Sequence, residues 1–320
     1  MSKILRAIRR HFRGRRFFFG PQVFHAQSHI FSRARLSVQF YYLTLFAVAV
    51  DVTSYNRHQL QHSTFSNPLW PLRILGWPDA KPWLIDLTFV MLLGGALGAI
   101  VFSGWRVFRV AAFMGLFYLL ALQNSDGLFS NHMHMALFPT FLLIFLPNAV
   151  PGADRSRRQA YLSWFWFAQF AICFAYGMAG YFKVLEIFRC IAVRGLDQCE
   201  VGSAIMTSMA AKELLQFGRP TFAGDLLYQF PLIGGLSYLF IIWFHLVSPY
   251  FAFRFDLHRL FLALRIIFHF GTLILFGIGF SYTILAVVGM FAFSPFVPPI
   301  QKFRWREFFG RLPTLGWVRA

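Results

Sequence analysis

The chain has 320 residues, of which 58% are hydrophobic and 13% charged, and it carries a net charge of +18. Soluble domains average about half apolar and a quarter charged, so this chain, with its 43 Phe, would expose large apolar patches in water. The composition excludes an ordinary soluble enzyme, a disordered chain and a secreted disulfide scaffold; it indicates an all-α fold, a polytopic integral membrane helical bundle.

Residues 1–35 mix Arg and Lys with Phe and Ile, with no apolar core before Arg33. They do not read as a signal peptide, but as a basic cytoplasmic segment suited to an anionic inner leaflet. A membrane crossing needs about 20 mainly apolar residues. Eight such spans are expected, near 37–54, 84–103, 107–123, 132–148, 161–183, 228–252, 260–277 and 280–298. The last two form one apolar run, with a break expected at Gly277-Ile278-Gly279. The transmembrane domain thus covers 36–298 and includes a long outer loop at 184–227. A basic cytoplasmic tail covers 299–320.

An even number of spans puts both ends on one side, and Lys and Arg concentrate in cytoplasmic loops. With both ends inside, the outer segments hold only Arg57, Arg73, Lys81, Arg189, Arg194, Lys212 and Arg219 of the 30 Lys and Arg. This distribution accounts for the basic charge through membrane lipids, with no nucleic-acid partner.

Ionisable groups inside a membrane are expensive and are default functional candidates. Asp51, Asp86, Asp126, Asn131, His132, His134 and Lys183 fall on the outer side, with His269 near mid-membrane below them. Together they suggest an outward-facing polar cavity under the 184–227 loop. Each has a structural alternative. Lys183 can reach the interface or pair with Glu186. His132 and His134 can anchor at the interface. Arg265, one helical turn before His269, can pair with Asp256 or a lipid phosphate. His269 can bond a neighbouring helix, and His245 reads as a packed core histidine.

Cys190 and Cys199 fall in the outer loop, where an oxidising space would let a disulfide persist. Cys173 reads as a small hydrophobe in span five. His58 and His62 make a single His-x-x-x-His pair on the outer side, and no metal site is expected.

Several segments, in order, resemble the transmembrane domain of vitamin K-dependent gamma-carboxylase, which defines the horizontally transferred transmembrane (HTTM) family. Ser130-Asn131-His132-Met133-His134 resembles the family's Asn-His element. Tyr176-Gly177-Met178-Ala179-Gly180-Tyr181-Phe182-Lys183-Val184 resembles its Tyr-x-x-Ala-Gly-x-x-Lys-Leu element. Phe253-Arg254-Phe255-Asp256 with Arg259, then Phe268-His269-Phe270, then Phe293-Ser294-Pro295, resemble its following segments.

The resemblance implies oxygenation of a reduced naphthoquinone to its epoxide. Lys183 would be the general base, with His132 and His269 positioning the reactants; Asn131, His134 and Arg265, from the polar groups read above, are the candidates for binding substrate. A greasy quinol would enter from lipid, and a lysine at the edge of an apolar cavity is a better base than one in water. Three features depart from the family. The family's Trp shortly after the lysine motif is not evident, Glu186–Glu200 with two cysteines standing there instead. Val184 stands where the family has Leu, and the large extramembrane domain that holds a peptide substrate is not expected here. Quinol oxygenation is therefore the more readily retained activity. The alternative is a non-catalytic membrane partner in the maturation, export or immunity of a small secreted peptide. A bacterial inner membrane is the expected location under both readings.

Overall fold

In the computed structural model, residues 28–62, 81–125, 134–148, 152–195, 229–276 and 280–297 are described. Among them the chain is helical throughout and contains no strand. The helices are α1 (Ser28–His62), α2 (Pro82–Val101), α3 (Arg106–Ser125), α4 (His134–Leu143), α5 (Arg155–Arg194), α6 (Pro231–Leu246), α7 (Ser248–Phe253), α8 (His258–Phe276) and α9 (Ser281–Phe291). A short 3₁₀ turn, Phe255–Leu257, joins α7 to α8.

Among the described residues, five helices are long and apolar enough to cross a membrane: α1, α2, α3, α5 and the stretch that includes α8. The helices α4, α6 and α9 are equally apolar but shorter. Many outward-facing side chains are large and apolar, among them Val90 on α2 and Ile267 and Ile274 on α8. Such a surface suits hydrocarbon rather than water.

Two helices organise the bundle. Helix α1 packs against α2, α3 and α9, and α5 packs against α4, α6 and α7. Small residues let backbones approach where the hydrophobic effect gives no drive. A Cβ on Gly115 of α3 would fall 2.6 Å from the Thr88 carbonyl of α2. Side chain-to-backbone hydrogen bonds add cross-links. Tyr41 of α1 donates to the Ala136 carbonyl of α4 at 2.6 Å, Asn56 of α1 to Leu119 of α3 at 2.9 Å, and Gln169 of α5 to Met290 of α9 at 2.7 Å.

The 40-residue α5 differs from expectation. Its apolar stretch was expected to end at Lys183, with a loop beginning at residue 184. The helix instead continues to Arg194, so residues 184–194 are helical. Lys183, Glu186 and Arg189 lower the hydropathy without breaking the helix, since Lys, Glu and Arg are good helix formers. Asp154 caps the other end, its carboxylate accepting from the Arg157 backbone N–H at 2.7 Å.

Candidate functional site

The site begins with a helix break. Val247 separates α6 from α7, and Pro249 in the first turn of α7 has no backbone N–H to continue the ladder of α6. At this break the Phe244 carbonyl accepts from Ser248 Oγ at 2.7 Å and from Arg265 Nη2 at 3.4 Å. Arg265 Nη2 also donates to Ser248 Oγ.

Arg265 is 1% exposed and held by aromatic faces. Its Cζ lies 3.4 Å from the Tyr176 ring centroid, 4.0 Å from that of Phe244 and 5.2 Å from that of Phe261. A guanidinium is weakly hydrated and stacks on such faces. The expected alternative, a pair with Asp256, does not form. Asp256 instead binds Arg254 at 2.9 Å, two residues away and close to the end of α7. Arg265 Nε and Nη1 are buried without an acceptor among the described residues.

Around this guanidinium stand further basic groups. Tyr176 Oη lies 2.6 Å from His269 Nε2. The His245 ring lies 5.6 Å from that of Tyr176, and its Nδ1–H donates to the Ile241 carbonyl at 2.7 Å. Lys183 is two helical turns after Tyr176 on α5, about 10 Å along the axis. It is half-buried and donates to its own Ala179 carbonyl at 3.4 Å. No ion pair with Glu186 forms. The approach of α5 to α6 depends on Gly180, whose added Cβ would meet His245 Cβ and the Leu246 nitrogen at 2.8 Å.

Of the expected site residues, the structure brings Arg265 and His269 together on Tyr176, while Lys183 lies two helical turns further along α5. It adds Tyr176, His245, Phe244 and Ser248. Tyr176 was visible only as part of a motif, and the Pro249 break was the available signal for Phe244 and Ser248. His134 opens α4 and stacks on Phe138 of the same helix, with ring centroids 5.8 Å apart. Asp86 pairs with Arg57 between α1 and α2 on an exposed face, and Asp51 is exposed on α1; neither contributes to the cluster. Asn131, His132 and Asp126 lie outside the described residues.

Cys190 is engaged in a disulfide, and its expected partner, Cys199, lies outside the described residues. Cys173 is a free, buried thiol on α5. Among the described residues, no group of three His, Cys, Asp or Glu side chains is placed to hold a metal ion.

Chemically, the cluster combines a buried guanidinium, two imidazoles and a phenol, with the Lys183 amine two helical turns along α5, and no carboxylate is bonded to any of them among the described residues. Such an arrangement is complementary to an anion. Comparison with known proteins finds no family model, no curated protein and no solved structure that matches this chain.

Proposed function

We propose that the chain is an integral membrane protein of the HTTM type that binds a reduced naphthoquinone at the α5–α6–α8 cluster and oxygenates it. Lys183 takes the proton of a quinol hydroxyl. Arg265 and the imidazoles of His245 and His269 stabilise the resulting phenolate, and His132 and Asn131 position it from the start of the fourth span. Dioxygen is the oxidant. One of its oxygen atoms enters the ring as the epoxide, and the other leaves as water with the two hydrogens of the quinol.

One observation carries the reading: Arg265 is buried with two N–H-bearing nitrogens that find no acceptor among the described residues, and none of those residues sets a carboxylate against it. An unpaired buried charge is costly, and preorganised donors of this kind favour developing negative charge. The full arrangement in this reading has eight spans and both ends in the cytoplasm of a bacterial inner membrane. The disulfide at Cys190 supports placing the far end of α5 in an oxidising space.

The test uses purified protein given reduced naphthoquinone and oxygen. Wild type is expected to form epoxide and Lys183→Ala to lose that activity. Equal formation by both, or none by either, overturns the proposal. Retained cellular function without Lys183 and His132, together with co-purification of a small exported peptide, would instead support the non-catalytic reading.

A further inference from the structure

A second concentration of unpaired cations lies at the opposite end of α5. Arg109 of α3 is 2% exposed. Its Nη1 donates to the Leu143 and Leu146 carbonyls at 3.0 and 2.8 Å, which caps the end of α4. Its Nε and Nη2 are buried without an acceptor among the described residues.

The neighbours of Arg109 do not neutralise it. The groups around it are the neutral phenols of Tyr42 and Tyr161 and a second guanidinium, that of Arg106. The Tyr42 hydroxyl is buried without a partner. Arg35 of α1 spends Nη2 on Ser103 at 3.3 Å and leaves a buried Nε unsatisfied. Arg158 of α5 likewise leaves Nε unsatisfied. Arg106 donates Nε to the Ile144 carbonyl at 3.0 Å, lies over the Phe145 ring with its Cζ 5.8 Å from the centroid, and is exposed. In the described segments that meet here, the only acid is Asp154, already bonded to Arg157 and Ser156.

Beside Arg106 runs an apolar strip. Phe102 and Trp105 are 52% and 63% exposed, and both stack on Phe108 with centroids 5.5 and 6.1 Å apart. Cations without acids, next to exposed aromatic faces at a helix-bundle end, match an anionic headgroup with acyl chains attached.

We propose that this end of the bundle is a binding site for an anionic phospholipid. Arg35, Arg106 and Arg158 take its phosphate, and the Phe102–Trp105 strip takes an acyl chain. The bound anion compensates the buried charge of Arg109. This inference rests on the membrane-embedded reading of the bundle and on no reaction at Lys183.

The test is thermal unfolding and native mass spectrometry of the detergent-purified protein with phosphatidylglycerol, phosphatidylcholine or soluble glycerol phosphate. Phosphatidylglycerol is expected to stay bound and to raise Tm above the value in phosphatidylcholine. Arg106→Gln, at an exposed position, and the double variant with Arg158→Gln should lose that difference. Arg189→Gln, near the far end of α5, should keep it. The proposal is overturned if both lipids act equally, if glycerol phosphate alone reproduces the effect, or if Arg106→Gln retains the full preference.

Discussion

Tyr176 on α5 and His269 on α8 are 93 positions apart in the chain and share a 2.6 Å hydrogen bond. Both are buried, and the face of the same Tyr176 ring carries the Arg265 guanidinium. One phenol thus serves two partners on α8, through its hydroxyl and its ring. Tyr176→Phe removes the hydroxyl and keeps the ring, and is expected to cost about 1–2 kcal/mol, read as a lower Tm in detergent. Tyr176→Leu removes the aromatic face as well and should cost more. Equal losses in the two variants would show that the stacking contributes nothing.

Arg265 separates a structural from a functional role. Replacing an unpaired buried charge by an apolar side chain of similar length is often neutral or stabilising. Arg265→Met should therefore unfold no earlier than wild type. Arg265→Lys exchanges a planar stacked group for a strongly hydrated point charge and should unfold earlier than both. If the guanidinium stabilises a phenolate, epoxide formation by Arg265→Met should fall about a hundredfold or more. A Met variant that unfolds while the Lys variant does not would assign the charge to the fold.

Gly180 sets the separation of the lysine-bearing helix from the His245 helix. An added Cβ at this position would lie 2.8 Å from His245 Cβ and from the Leu246 backbone nitrogen, so backbone must move. Gly180→Ala should cost about 1–3 kcal/mol and displace His245 from the cluster. Gly94 has open space around its Cβ position; Gly94→Ala is the control and should leave Tm unchanged or raise it slightly. Equal effects at the two sites would refute the close-approach argument.

The fold was legible where one physical rule dominates. Apolar runs long enough to span a bilayer marked the helices; the interruption before Pro249 within the expected 228–252 span was not anticipated, and the expected break at Gly277–Gly279 lies outside the described residues. The end of α5 was not legible from hydropathy, because Lys183, Glu186 and Arg189 are polar yet helix-compatible. The site was legible in part. Ionisable groups in apolar segments pointed to Lys183, Arg265 and His269, and the spacing of Arg265 and His269 placed them on one face. Which partners they take was not, because pairing is a tertiary matter. Asp256 had a nearer arginine in Arg254, and Arg265 found rings instead of a carboxylate. His245, which reads as a packed histidine, is packed, and it lies beside Tyr176.

Asp154 gives the N-terminus of α5 a pH dependence whose sign follows from its bonds. The Arg157 backbone N–H and the Ser156 hydroxyl hold its carboxyl below the ordinary aspartate value of 3.8. A group whose folded value is the lower one stabilises the fold above the unfolded value. That stabilisation is lost as pH falls through the folded value. Asp154→Ala should lower Tm at neutral pH by loss of the helix cap. The gap from wild type should narrow as pH falls below 3.8 and close once wild-type Asp154 is protonated. A gap independent of pH would mean that the carboxylate charge is irrelevant to the cap.

The three cysteines allow a labelling test that distinguishes the two ends of the α5 thiol series. Cys173 is free but fully buried, and a buried thiol in apolar surroundings is inert. Cys190, 17 residues further along the same helix, is disulfide-bonded and half-buried. A membrane-impermeant maleimide should therefore leave Cys190 unmodified in the oxidised protein and modify it after mild reduction. Cys173 should react only after unfolding. Labelling of Cys190 in intact cells after external reduction would place that end of α5 outside, whereas labelling only after lysis would place it inside and remove the support that the disulfide gives to the proposed orientation.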